Sequence, residues 1–122
     1  MRIKSAIARI TKGAEAESKA ANFLKQKGLK LVERNYLCRG GEIDLIMQEG
    51  EYLVFVEVRH RKSQDYGGAL ESVDYRKQAK LRRAAESYLL EKSLNDQAAR
   101  FDVVCVDGAL TKPDFQWIRN AF

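Results

Sequence analysis

The stretch from Gly41 to Arg61 places acids inside apolar strands, and this limits what the chain can fold into. Two runs rich in β-branched and aromatic residues, 43–48 and 52–60, flank a polar turn around Gly50 and read as a β-hairpin. Asp44 lies between Ile43 and Leu45, and Glu57 between Val56 and Val58. A carboxylate buried there without a partner is costly, so the fold must supply one.

Register decides whether the two acids meet. If Glu49 and Gly50 form a two-residue loop, Asp44 faces Phe55 and Glu42 faces Glu57. Glu42, Asp44, Glu57 and Arg59 then share one face, with Asp44 and Glu57 as diagonal neighbours. A three-residue loop puts Asp44 opposite Val56 and sends Glu57 to the other face. The first register makes a site in which two carboxylates repel each other until a cation or shared proton intervenes, and Mg²⁺ takes oxygen ligands of this kind. The other reading of the same residues is an ion pair of Glu57 with Arg59 or Arg61 on a solvated face.

The remaining chain supplies two helices and three more strands. Ala16, Ala20, Phe23 and Leu24 give 14–27 a helical apolar stripe that Gly28 ends, with Glu17 at the edge of the buried face. Residues 29–37 form the first strand, and Gly40 and Gly41 lead into the hairpin with room for a bulky ligand to approach. Residues 61–71 are irregular, either a substrate-contacting flap or a solvated connection. A second helix begins at 73 or 74 and runs to 92, with Leu81, Ala84, Ala85, Tyr88 and Leu89 inward and Ser72 or Asp74 as cap. Strands follow at 101–107, apolar enough to be buried on both faces, and at 115–119, where Trp117 packs. This order predicts a small α/β domain: one mixed sheet with helices against it, spanning 13–122 after a basic N-terminal segment at 1–12.

Composition narrows the partners. Among 122 residues, 22 Lys and Arg against 17 Asp and Glu give a net charge of +5, which favours polyanions. Lys77 approaches the buried side of the second helix, and Arg76, Lys80, Arg82 and Arg83 crowd around it as either a phosphate-binding surface or a paired, solvated helix face. Two widely spaced cysteines fit reduced thiols in a cytoplasmic protein. No apolar run nears the roughly 20 residues of a membrane span, and the N-terminal isoleucines are interrupted by Arg and Lys. His60 has no carboxylate partner in sequence and reads as structural or surface.

Gly13-x-x-Ala16-Glu17-x-x-Ala20, Gly28, Asn35, Gly41-Glu42-Ile43-Asp44-Leu45-Ile46, Val54-Phe55-Val56-Glu57-Val58-Arg59, Tyr66-Gly67, Lys77, Phe101-Asp102-Val103-Val104 and Asn120-Ala121-Phe122 together resemble the YraN-like family of small bacterial proteins. That family is similar to archaeal-type Holliday-junction resolvases and the restriction-endonuclease-like fold, whose sites follow the pattern Asp, then Glu-x-Lys. The resemblance implies Asp44 and Glu57 as metal ligands for Mg²⁺ or Mn²⁺, with Glu17 as the first-helix glutamate that joins them. Arg59 stands where the lysine is expected. A guanidinium offers charge stabilisation rather than help in deprotonating water. The expected activity is metal-dependent cleavage of DNA phosphodiester bonds, with Lys77 as a further catalytic candidate. Arg61, Arg76, Lys80, Arg82 and Arg83 would position the backbone. Paired cuts in a four-way junction would call for a homodimer. The alternatives are a non-catalytic nucleic-acid-binding accessory protein and a protein-binding scaffold.

Overall fold

The computed structural model describes residues 2–62 and 70–122, and side chains from residue 13 onward except that of residue 70. Its elements are α1 (Arg2–Gln26), β1 (Lys30–Cys38), β2 (Gly41–Glu49), β3 (Tyr52–Arg61), a 3₁₀ turn (Leu70–Ser72), α2 (Tyr75–Glu91), β4 (Ala99–Asp107) and β5 (Asp114–Ile118). The strands form one mixed sheet in the order β1-β2-β3-β4-β5. Neighbours are antiparallel except β3 and β4, which are parallel because the chain crosses back through α2 between them.

Each helix covers one face of the sheet. Ala20, Ala21 and Leu24 of α1 pack on Leu45, Met47, Val54, Val56, Val104 and Val106, while Leu81, Ala84, Ala85 and Tyr88 of α2 join Ile46, Phe55, Val103 and Cys105. β4 is therefore buried on both faces, as its apolar run at 103–106 requires. The expected α/β class holds, with two helices and five strands among the described residues.

The boundaries follow local chemistry. The first helix does not begin after Gly13: α1 runs through that glycine from Arg2, so the basic N-terminal segment and the expected helix are one element. It ends in a Schellman arrangement, with Leu29 N–H bonded to the Leu24 carbonyl and Gly28 N–H to that of Lys25, and Gly28 at φ +101°. Asp74 caps α2 by accepting the Lys77 N–H at 2.9 Å. The expected loop at 61–71 lies largely outside the described residues.

A fully buried carboxylate, Asp102, ties the sheet to the C-terminus. It accepts from Arg100, from Trp117 Nε1 at 2.9 Å and from the Asn120 N–H at 2.9 Å. Trp117 is thus a packing residue, with Arg119 4.0 Å above its ring. Phe122 stacks on Phe101 with ring centroids 5.0 Å apart.

Candidate functional site

The hairpin register differs from both expected ones. The turn is Gly50–Glu51, with Gly50 at φ +58°, and the ladder runs from Glu49–Tyr52 to Leu45–Val56. Glu49 stays in β2 because it pairs across with Tyr52 and holds Arg100 at 2.8 Å and Arg119 at 2.7 Å. Continued one step, this register brings Asp44 directly opposite Glu57 rather than diagonal to it.

The strands part at that step. The β1–β2 pairing omits Asn35 and Asp44, and Asn35 sits in the left-handed region at φ +53°. Ile43 packs on the α2 side and Leu45 on the α1 side, although residues two apart in a regular strand share a face. The alternation is therefore broken at Asp44. Its carboxylate fills the gap and accepts the Val58 N–H at 2.9 Å. Glu42, expected on the same face, is exposed instead.

Glu57 is only 3% exposed and makes a hydrogen bond with Asp44. Lys77 Nζ and Arg59 Nη1 each stand 3.5 Å from the same oxygen, Glu57 Oε2. Burial first, then the charge and hydrogen bond of Asp44, push the Glu57 carboxyl up to about 8, with Lys77 and Arg59 pulling it partway back. Glu17 enters from α1. Its carboxyl is raised by burial and by the Asp44 charge, and restrained by Arg34, at 3.6 Å, and Asn35. Acids from α1, β2 and β3 thus act on one another through Asp44. No three acids, histidines or cysteines among the described residues form a metal cage; Asp44 and Glu57 share a hydrogen bond, and Glu17 feels the Asp44 charge.

The other cations divide by partner. Arg76, Lys80 and Arg83 are exposed and lie on one stripe of α2 at i, i+4 and i+7, beside Lys77. Arg82 leaves the stripe and lies over the Phe122 ring, 5.4 Å from its centroid. Arg61, expected to position a nucleic-acid backbone, is instead bound to buried Asp107 at 2.7 and 2.9 Å and to Gln116 at 3.1 Å. Its place on β3 beside the end of β4 sets up this pairing. The glycines before the hairpin also serve the packing of the helix. A Cβ on Gly41 would stand 3.3 Å from the Lys80 carbonyl oxygen, and one on Gly40 3.3 Å from Arg83 Cβ, so they let α2 approach β2.

Sequence reasoning missed Arg34, which reaches Glu17, Ser18 Oγ at 3.0 Å and the Ala14 carbonyl at 3.2 Å. It also gave Asn35 no place at the site. Asn is the residue most tolerant of left-handed backbone after glycine, and its position within a strand pattern was the available signal.

Residues 16–106 match the profile of the uncharacterised protein family UPF0102. The chain is 49% identical over 112 residues to a UPF0102 protein of Legionella pneumophila subsp. pneumophila, covering 91% of this chain and 93% of that one. It is 47% identical over 122 residues to one from Hahella chejuensis, covering 100% and 98%. Against one from Methylococcus capsulatus it is 51% identical over 109 residues, covering 89% and 88%. No described helix is long and apolar enough to cross a membrane.

Proposed function

The chain belongs to the uncharacterised protein family UPF0102, and from its site we propose that it is a metal-dependent nuclease that cuts phosphodiester bonds in branched or otherwise structured DNA. The observation that carries this reading is the buried pairing of Asp44 with Glu57 at a point where the sheet has been opened. Packing two carboxylates together in the interior costs stability, which Lys77 and Arg59 offset only in part.

The residues fit a hard divalent cation. Asp44 and Glu57 offer oxygens from facing strands, and the N–H and C=O of a strand residue face the same neighbour, so the Val58 carbonyl opens onto the gap where its N–H meets Asp44. Two carboxylates with water and substrate oxygens making up the remainder are a usual environment for Mg²⁺. Mg²⁺ or Mn²⁺ bound there would polarise the phosphodiester and activate a water for attack. Glu17, held by Arg34 and Asn35, would orient an outer water. Arg59 and Lys77, both within ion-pair reach of Glu57, would stabilise charge that builds on the phosphate. Arg76, Lys80 and Arg83 would hold the flanking backbone without reading its sequence.

The test is cleavage of linear, nicked, flapped and four-way DNA in Mn²⁺ by the parent, Asp44→Ala and Glu57→Ala. The reading expects cutting by the parent and a loss of at least about a hundredfold in both variants, with binding retained. Arg59 at the motif position favours a second reading, a nucleic-acid-binding protein without turnover. That reading expects no cutting by the parent, and tighter binding in both alanine variants through removal of repulsion.

A further inference from the structure

The first turn of α2 touches the acid pair on one side and presents an unpartnered aromatic ring on the other. Lys77 Nζ stands 3.5 Å from Glu57 Oε2, so this turn borders the Asp44–Glu57 site from the α2 face of the sheet. Tyr75 opens the same turn and is 86% exposed, more than any other large hydrophobic residue described. Every other described aromatic ring lies against a second ring or a cation. Tyr75 has neither among the described residues. Tyr is only a middling helix former, and Asp74 already caps this end of the helix.

Successive residues of a helix turn by about 100°. Lys77, Arg76 and Tyr75 therefore fan out in order around the turn, from half-buried Lys77 at the acids, through exposed Arg76, to Tyr75. Arg76 heads the exposed stripe that Lys80 and Arg83 continue. The Asp74 carboxylate, the nearest opposing charge in sequence, is engaged with the Lys77 N–H at 2.9 Å. A DNA strand with one phosphate at the acid pair and the next held by Arg76 reaches the Tyr75 ring within the width of the helix, about 10–12 Å. A phenol ring at the border of a cationic stripe suits a nucleobase, whose flat face stacks on it while the stripe holds the phosphates.

We propose that Tyr75 is a stacking platform for one unpaired nucleobase of the DNA strand whose phosphate lies at the Asp44–Glu57 site. The inference rests on the nuclease reading for its substrate and narrows that substrate to DNA with a single-stranded segment beside the cut, such as a flap or branch point. A base inside a continuous duplex has both faces covered by its neighbours and reaches Tyr75 only after unstacking.

The experiment measures binding in Ca²⁺ and cutting in Mn²⁺ on a flapped DNA and on a continuous duplex, for the parent and for Tyr75→Ala, Tyr75→Leu, Tyr75→Phe and Tyr75→Trp. The position is exposed, so all five proteins should unfold alike in urea. Tyr75→Ala and Tyr75→Leu should bind the flap about fivefold or more weaker than the parent, the lower end expected for losing one stacked base, while Tyr75→Phe and Tyr75→Trp hold it. Binding to the duplex should not change, nor should the salt dependence on the flap, which belongs to the phosphate contacts. One abasic position in the flap should weaken the parent by the same factor and leave Tyr75→Ala unaffected. Tyr75→Ala binding the flap like the parent, Tyr75→Leu holding it as well as Tyr75→Phe, or an equal loss on the duplex would overturn the proposal. A parent that cuts while Tyr75→Ala matches it on the flap removes the platform alone. A parent that shows the aromatic dependence in binding but never cuts removes the nuclease and leaves the platform. A parent that binds neither DNA removes both.

Discussion

Replacing Glu57 by Gln should stabilise the protein at neutral pH, against the usual expectation for a buried, partnered residue. The folded state holds the Glu57 proton up to about 8, whereas the ordinary value for a glutamate is 4.5. Below the ordinary value both states carry the proton and the group has no effect. As pH rises from there the unfolded chain loses its proton first, so stability falls by about 1.4 kcal/mol for each pH unit until the folded state also titrates. By pH 7 the cost is about 3 kcal/mol, and Gln, which cannot ionise, escapes it. Glu17, Arg34 and the remaining charges are common to both proteins and drop out of the comparison to first order. Urea unfolding of the parent and Glu57→Gln at pH 4.5, 6 and 8 should show equal stability at the first and a growing advantage of the variant thereafter. Saturating Mn²⁺ at pH 8 should recover stability in the parent and leave the variant where it was. A variant less stable than the parent at pH 8, or a gap that does not change with pH, would refute the reasoning.

Other parts of the structure give separate expectations. Arg61→Ala leaves Asp107 charged and unpaired in the sheet and should cost about 3 kcal/mol in urea unfolding, the scale for breaking a buried pair. Gly41→Ala meets the Lys80 carbonyl and a φ of +150°, so it should lower the unfolding free energy by about 1–3 kcal/mol; a neutral melt would show that α2 does not need this close approach. Arg76→Ala, Lys80→Ala and Arg83→Ala should each flatten the salt dependence of DNA binding by about one unit of log–log slope. Arg82→Ala, whose side chain rests on Phe122, should leave that slope unchanged.

Much of the fold can be read from periodicity because the burial is two-sided and regular. The stripe around Ala20 and Leu24, the apolar run of β4 at 103–106 and the Asp74 cap each follow from a local rule. The pairing of Asp44 with Glu57 follows from the cost of burying acids, but its geometry does not. Whether Gly50 stands first or second in the turn moves the residue facing Asp44 by two, from Phe55 to Glu57, and the outcome depends on Glu49 meeting Arg100 and Arg119 from distant β4 and the C-terminus. The ion pair of Arg61 was hidden for a similar reason: its partner Asp107 is 46 residues away, and only the parallel β3–β4 pairing brings the two together. The kink at Asn35 and Asp44 is also hidden in the sequence, since it breaks the alternation used to read a strand. The candidate site residues thus sit where local rules fail.

The most direct measurement is the anomalous scattering of Mn²⁺ in crystals of the protein grown at pH 8. A peak within coordination distance of one Asp44 oxygen, one Glu57 oxygen and the Val58 carbonyl is the expected result. Ordered Mn²⁺ found only elsewhere, with Glu57 still hydrogen-bonded to Asp44, would contradict the account.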